Sequence, residues 1–536
     1  MNPIQLLDCT LRDGCYIVEG DFSTPVIKGI TQKLQTANVD IIECGWLKDF
    51  PHQPGSAYYH VPADANLYLP AKRRPGTIYA VMIDWDRYNL KNLPARTTET
   101  IDAIRMVFPL GKHKQALALA DQITTKGYQL FLQAANTLAY TDTELETLAQ
   151  DVNRVQPISL SIVDTFGAMY PEDLKRIFNV LNQTLSPNIK LGFHSHNNQQ
   201  LSFALTMAFL KLGEKAKRGL IVDASLCGMG RGAGNTTTEL LASYLNRSYA
   251  GNYDLNEILD AIDQYLGKIR ESHEWGYSIP YFIAGIYCSH VNNIAYLRNH
   301  HKTLAKDMRM IIESIDPATR RTYDYDNLER IYVDYQNKET DDTGTMQDLS
   351  SSIANRQVLV LAPGETLRSE ISKIHDFISQ EDPFIIGLNS VPEGIPCDAL
   401  LFTNGTRFQY ARENNSDELE HIAIYITSNI RHDNPRHKAI NFNRIAKLGW
   451  QFFDNGSIMC LRLLAKLGVT DIAFAGFDGF PENSDRQFYA NRILQAELSA
   501  NTKRQINHDV KGMLADFRAC DKGRTRIRFI TTSIFA

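Results

Sequence analysis

The sequence has no long apolar run, no CxxC pair and no excess of basic residues, and each absence closes off a class of protein. No stretch approaches the roughly 20 residues that span a bilayer. The start, "MNPIQLLDCTLRDG", lacks the basic segment and apolar core of a secretion signal, so no membrane is expected. Eight cysteines stand scattered, without the spacing of a zinc ribbon or a disulfide framework. Reduced thiols and a cytoplasmic location are the expectation. With 56 Lys and Arg against 61 Asp and Glu, the net charge is −5, which gives no footprint for a nucleic-acid partner. No internal repeat recurs at a fixed period. What remains is a globular composition, 43% hydrophobic over 536 residues, too long for one core.

Eight short β-rich runs alternate with helical patterns up to about residue 250: "IQLLDCT", "VDIIECG", "TIYAVMID", "IDAIRMVF", "YQLFLQAA", "ISLSIVDT", "IKLGFHSH" and "GLIVDASL". Several are apolar on both faces, as parallel strands covered by helices on both sides must be. Eight such units predict a (β/α)₈ TIM barrel over residues 1–250. A doubly wound open sheet is the alternative. The polar residues argue for the barrel: Asp13, Glu43, Arg105, Asp164, Thr165, His194 and His196 all sit near the C-terminal ends of predicted strands, and only closure brings those ends to one mouth. Residues 251–335 turn helical and read as an extension completing the active site. Residues 336–354, acidic and rich in Ser and Thr, read as an exposed linker. Residues 355–536 return to alternating strands and helices, a second, Rossmann-like α/β domain.

Three features carry chemistry. "GFHSHNN" sets His194 and His196 two apart, which places both imidazoles on one side of an extended chain. Two such rings and the Asp13 carboxylate suit a divalent cation with positions left for substrate oxygens. Arg12, beside Asp13, can hold an anionic oxygen as charge develops there. Glu43 could orient Arg12 or a metal-bound water, and Thr165 could donate to a substrate carboxylate; a structural role fits either equally well. The loop "CGMGRGAGN" lacks the spacing and the Lys-Ser/Thr ending of a phosphate loop. It closes the barrel, or brings Asn235 back towards the metal. In the second domain, Gly364 and Thr366 lie between a strand and a helix start, a geometry that suits an anion. With "GLNS" and "IAFAGFDGF" the domain resembles hydroxymethylpterin pyrophosphokinase-like and bacterial sialyltransferase-like domains, which implies a nucleotide or nucleotide sugar; a Rossmann-like domain serving only assembly is the alternative.

Taken in order, "DCTLRDG", "DTFG", "GFHSHNN" and "GMGRGAGN" resemble the metal-dependent aldolase and lyase superfamily of TIM barrels, which includes 4-hydroxy-2-oxovalerate aldolase, hydroxymethylglutaryl-CoA lyase and isopropylmalate synthase. The resemblance implies that Asp13, His194 and His196 bind the metal, with Asn235 a further ligand and Arg12 stabilising an enolate. It implies Mn²⁺ or Mg²⁺ first, with Zn²⁺ or Co²⁺ compatible, a small 2-oxo acid and an aldehyde as substrates, and a homo-oligomer. "IAGIYCSHVNNIAYL" resembles the helix after the aldolase barrel, so Tyr287 corresponds to a tyrosine over the site. Two departures stand out. Where the aldolases carry a histidine as general base, this chain has Tyr16, and the "DGEQ"-like sequence of the synthases is absent. The expectation is a class II aldolase acting on 4-hydroxy-2-oxo acids, with Tyr16 or Tyr287 moving protons. A Claisen-type acyl-CoA synthase and a non-catalytic scaffold are the alternatives.

Overall fold

The computed structural model describes residues 4–536 except 302, 338, 354–355, 432–433, 448, 451, 453–454 and 482–499. The chain divides into two compact units, Met1–Ala295 with Met308–Tyr323, and Tyr296–Asp307 with Asp324–Ala536.

In the first unit, the eight apolar runs become eight parallel strands. They are β1 (Ile4–Asp8), β2 (Ile41–Leu47), β3 (Ile78–Asp84), β4 (Ala103–Phe108), β5 (Gln129–Ala134), β6 (Ser159–Asp164), β7 (Lys190–Ser195) and β8 (Leu220–Ala224). Each pairs with its neighbours, and β1 pairs with both β8 and β2, so the sheet closes into a TIM barrel. The helices between them start where local chemistry allows. Thr141 and Glu144 form a reciprocal cap for Asp142–Val155. Pro171 opens Pro171–Thr184, where Asp173 accepts from the Tyr170 amide at 3.0 Å.

The period-2 rule then sorts the strand residues. Leu6, Ile42, Tyr79, Ile104 and Val222 face the helices in the larger core. Leu7, Ile41, Ala80, Ala103, Phe131 and Ile221 form a separate apolar cluster inside the barrel. Two residues further along, on the same inner side, come Glu43, Arg105 and Asp223. A charged layer thus lies directly above an apolar floor, and it underpins the mouth.

The second unit carries a seven-stranded parallel sheet. Its strands are β9 (Val358–Leu361), β10 (Phe384–Leu388), β11 (Ala399–Phe402), β12 (Ala423–Thr427), β13 (Lys438–Ile440), β14 (Asp471–Ala475) and β15 (Arg526–Phe529), in the order β13-β12-β11-β10-β9-β14-β15. Within the stretch read as a linker, Thr343–Ile353 form a helix that buries Leu349 and Ile353 in this unit's core. Among the described residues, no helix is long and apolar enough to cross a membrane.

Candidate metal centre

The first site residues depend on how β1 ends. Asp8 accepts from the Thr10 amide at 2.9 Å and from Thr238 Oγ1 at 2.6 Å, and Thr10–Asp13 wind into one helical turn. From the sequence, Asp13, with Arg12 beside it, is expected near the C-terminal end of a strand. They lie instead on this turn and are buried, 5% and 0% exposed. The turn is pressed inward because Gly14 packs where a Cβ would meet Thr10 O at 2.4 Å, and Trp46 Nε1 donates to Arg12 O at 3.0 Å. Burial pushes the Asp8 carboxyl up to about 6, against the hydrogen bonds from Thr238 and Thr10. With the folded value above the unfolded one, ionising Asp8 costs stability, and that cost grows between about pH 4 and pH 6. Relative to wild type, Asp8→Asn should therefore gain stability from pH 4 to pH 7, by up to about 3 kcal/mol in urea titrations.

Asp13, His194 and His196 are all buried, and each offers one donor atom within 4.8 Å of the others. The two His Nε2 atoms are 3.3 Å apart, and His196 Nε2 lies 3.5 Å from Asp13 Oδ2. Their partners fix the tautomers. His194 Nδ1 faces Asp223 Oδ2 at 3.0 Å and His196 Nδ1 faces the Thr165 carbonyl at 2.9 Å. Both partners are acceptors, so both Nδ1 atoms carry hydrogen, which leaves each Nε2 to offer a lone pair to a cation. Three electron-pair donors converging this closely repel one another unless a cation lies among them. Asn235 adds a fourth group. Its Nδ2 donates to Asp13 Oδ2 at 2.6 Å, and its Oδ1 is buried without a partner. These residues fit a divalent metal.

The glycine loop is shaped by this cluster. A Cβ on Gly230 would sit 2.3 Å from Asn235 Nδ2 and 2.4 Å from Asp13 Oδ2. Gly230→Ala should weaken metal binding by about 10- to 100-fold, the range for displacing a group that orients a ligand, while the far-UV circular dichroism stays unchanged.

Below the cluster, the charged layer closes a ring. Arg12 reaches Asp13 Oδ1 at 2.5 Å and Glu43 Oε2 at 2.8 Å. Arg105 reaches the same Glu43 oxygen at 2.7 Å and Asp223 Oδ2 at 2.5 Å, and Asp223 holds His194. Burial alone would raise Asp13, but the Arg12 guanidinium holds it well below the usual carboxylate range. Asp223 is likewise lowered, its burial outweighed by Arg105 and His194. Burial pushes His194 down, which keeps it neutral and able to act as a ligand. Three carboxylates against two guanidiniums leave the layer with one negative charge in excess.

Glu43 thus orients Arg12, one of its two expected roles. Thr165 contributes its backbone carbonyl to His196, while its hydroxyl accepts from the Asn136 amide at 2.7 Å. Tyr16 stacks edge-on against Trp46, 6.2 Å between centroids, and under the Arg231 guanidinium at 5.1 Å. The surrounding protein pushes its phenol up, against the lowering effect of Arg231, even though 46% of the residue meets water. Tyr287 follows the helix Ile279–Ile286, which rests on the loops after β6 and β7: a Cβ on Gly285 would meet Asn198 and Gln199 at 3.1 Å. Its hydroxyl accepts from Arg309 at 2.6 Å and its ring lies under Arg320.

Gly364 and Thr366 do not present an anion cradle. The Gly364 amide donates to Gly476 O at 2.9 Å, and the Thr366 amide and hydroxyl both donate to Asp478, whose carboxylate would repel an anion there. The following helix, Thr366–Ser369, has only four residues.

Sequence reasoning gave no role to Arg105, and it missed Asp223, Arg231 and His290. An Asp two residues after Ile221 in an apolar strand was the available signal for Asp223. Arg231 and His290 meet only through loops, with a close contact between guanidinium and ring.

The HMGL-like family profile matches residues 110–264. A 4-hydroxy-2-oxovalerate aldolase of Chloroflexus aurantiacus is 28% identical over 50% of this chain and 77% of its own length. An oxaloacetate decarboxylase of Mycobacterium tuberculosis is 27% identical over 51% and 79%. The crystal structure of Bacillus subtilis HMG-CoA lyase, 17% identical, aligns over 50% of this chain and 93% of its own with a TM-score of 0.40. The profile and the sequence relatives agree with the ordered motifs, and the barrel of this chain is similar to the HMGL-like aldolases and lyases.

Proposed function

We propose that the barrel is a divalent-metal-dependent aldolase that makes or breaks the carbon–carbon bond of a 4-hydroxy-2-oxo acid, with a pyruvate-type enolate and an aldehyde as the two halves. The observation that carries this reading is the pair of tautomer-fixed imidazoles facing each other beside Asp13. Asp13, His194 and His196 would hold the ion, Mn²⁺ or Mg²⁺ in the first instance, with Asn235 as a further ligand. When bound, such an ion supplies Lewis-acid polarisation of a 2-oxo acid's oxygens.

The chain's own groups do the rest. Arg12, locked between Asp13 and Glu43, keeps a fixed positive charge beside the cluster, where an oxygen gaining negative charge is stabilised without reorganisation. Asp223 and the Thr165 carbonyl hold the imidazoles in the tautomer that can ligate. Tyr16, protonated at neutral pH, donates its hydrogen to the aldehyde oxygen in the condensing direction and takes it back in cleavage. The relatives' printed activities on 4-hydroxy-2-oxovalerate and oxaloacetate support chemistry at a 2-oxo acid.

The test is exchange of pyruvate methyl protons in D₂O followed by NMR. Exchange should require added Mn²⁺ or Mg²⁺ and stop with chelator; metal-independent exchange, or none, would contradict the reading. Tyr16→Phe should keep the exchange but slow cleavage of 4-hydroxy-2-oxovalerate by about 10²-fold or more.

A further inference from the structure

The second unit has a cleft of about 300 Å³, at the lower end of the range for small-ligand sites. Its position follows from topology. After β9 the chain lays β10 to β13 on one side, then returns to place β14 on the other side of β9. The loops leaving β9 and β14 therefore diverge, and in open parallel sheets the crevice outside such a switch is where ligands bind. The cleft is lined by Ala362–Gly364 after β9 and by Gly476–Phe480 after β14.

One end of the cleft is polar. The helix Gly456–Lys466 starts there, capped by Asn455, whose Oδ1 accepts from the Ser457 amide at 2.9 Å. Gly456 allows the helix start to press against β10 and β11, because a Cβ would meet Asn389 Nδ2 at 2.6 Å and Thr403 Oγ1 at 3.0 Å. Ser457 lines the cleft, is only 6% exposed, and its hydroxyl has no hydrogen-bond partner among the described residues. A hydroxyl without a protein partner, on a buried residue at a helix N-terminus that lines the cleft, can donate to an anionic oxygen. Arg407 lines this cleft too, as do the carboxylates of Asp478, held by Thr366 on the β9 side, and of Asp509.

The remaining walls are aromatic, with Phe452, Phe477, Phe480 and Phe535. They are held in place by buried polar groups that also line the cleft. Asn507 pairs with both the amide and the carbonyl of Phe480, at 2.9 and 2.7 Å, and Asp509 accepts from the Phe452 amide at 2.9 Å. The wall is preformed.

From the switch-point cleft, the unpartnered Ser457 and the aromatic wall, we infer that the second unit binds a phosphate ester carried on a flat ring, the chemistry of a nucleoside phosphate. The phosphate meets Ser457 and the start of Gly456–Lys466, and the ring lies against the phenylalanines. All the residues lining this cleft belong to the second unit, and the inference stands whether or not the barrel is an aldolase.

The test is calorimetric titration of the full chain with AMP, GMP, CMP and UMP, with the matching nucleosides and with inorganic phosphate. At least one nucleotide should bind with a stoichiometry of one, its nucleoside at least tenfold more weakly, and phosphate alone more weakly still. Ser457→Asp, which suits a helix start but places a negative charge against the phosphate, should weaken binding at least 100-fold, and Ser457→Ala about tenfold. His194→Ala should leave binding unchanged. Equal affinity for nucleoside and nucleotide, full binding in a folded Ser457→Asp chain, loss in His194→Ala, or no nucleotide binding at millimolar concentration would each overturn the inference.

Discussion

Asp13→Asn should lower divalent-metal affinity by at least about 100-fold and turnover by about 10³-fold or more, in a barrel that remains folded. Asp13 supplies the one carboxylate donor in the cluster, beside two imidazoles and an amide. Substitutions that disturb only the groups orienting a ligand already cost about 10- to 100-fold in affinity, so loss of the charged ligand itself belongs at or beyond that upper end. Asparagine keeps the shape, and Arg12 keeps its bond to Glu43 at 2.8 Å, so the helical turn at Thr10–Asp13 has no reason to unwind. Calorimetric titration with Mn²⁺ and cleavage of 4-hydroxy-2-oxovalerate are the measurements, with circular dichroism as the control. Wild-type affinity in the variant would place the metal elsewhere.

The largest effect on stability is expected at Arg105. It is 1% exposed and lies between Glu43 and Asp223, also buried, at 2.7 and 2.5 Å. Replacing it by methionine removes the cation and leaves two carboxylates facing each other inside the barrel. Breaking a buried ion pair by deleting one partner costs about 3–5 kcal/mol, because the other charge stays desolvated and unpaired. Arg105→Met should therefore shift the barrel's urea transition to much lower denaturant. Trp46, Trp85 and Trp275 lie in this unit and report it by fluorescence. Arg105→Lys should recover part of the loss, since an ammonium cannot bridge both carboxylates as a guanidinium does. A transition unchanged in Arg105→Met would mean that the charged layer contributes nothing to holding the barrel shut.

Both effects show where the sequence was readable. The eight barrel strands were legible because burial on both faces leaves nearly unbroken apolar runs, and "IIECGWL" is buried at all seven positions. His194 and His196 were legible for a related reason, since spacing of two in a strand fixes a shared side. Arg12 and Asp13 were identified, but on the wrong local structure. The Asp8 bond to the Thr10 amide that starts the helical turn is a tertiary choice, supported by Thr238 from 230 positions away. β13 and β15 escaped because short edge strands such as "KAI" and "RIRF" carry too little apolar pattern. Gly364 misled because a glycine between strand and helix looks the same whether it cradles an anion or lets two loops cross. Here it allows the crossing, at 2.9 Å from Gly476 O.

Pulsed electron paramagnetic resonance on the Mn²⁺-loaded chain reads the cluster directly, because each ligating imidazole couples its nitrogen to the metal's unpaired electrons. Two histidine couplings in the wild type, falling to one in His194→Gln, are the expected result. A spectrum of Mn²⁺ bound through oxygen alone, unaltered by that substitution, would contradict the metal centre proposed for Asp13, His194 and His196.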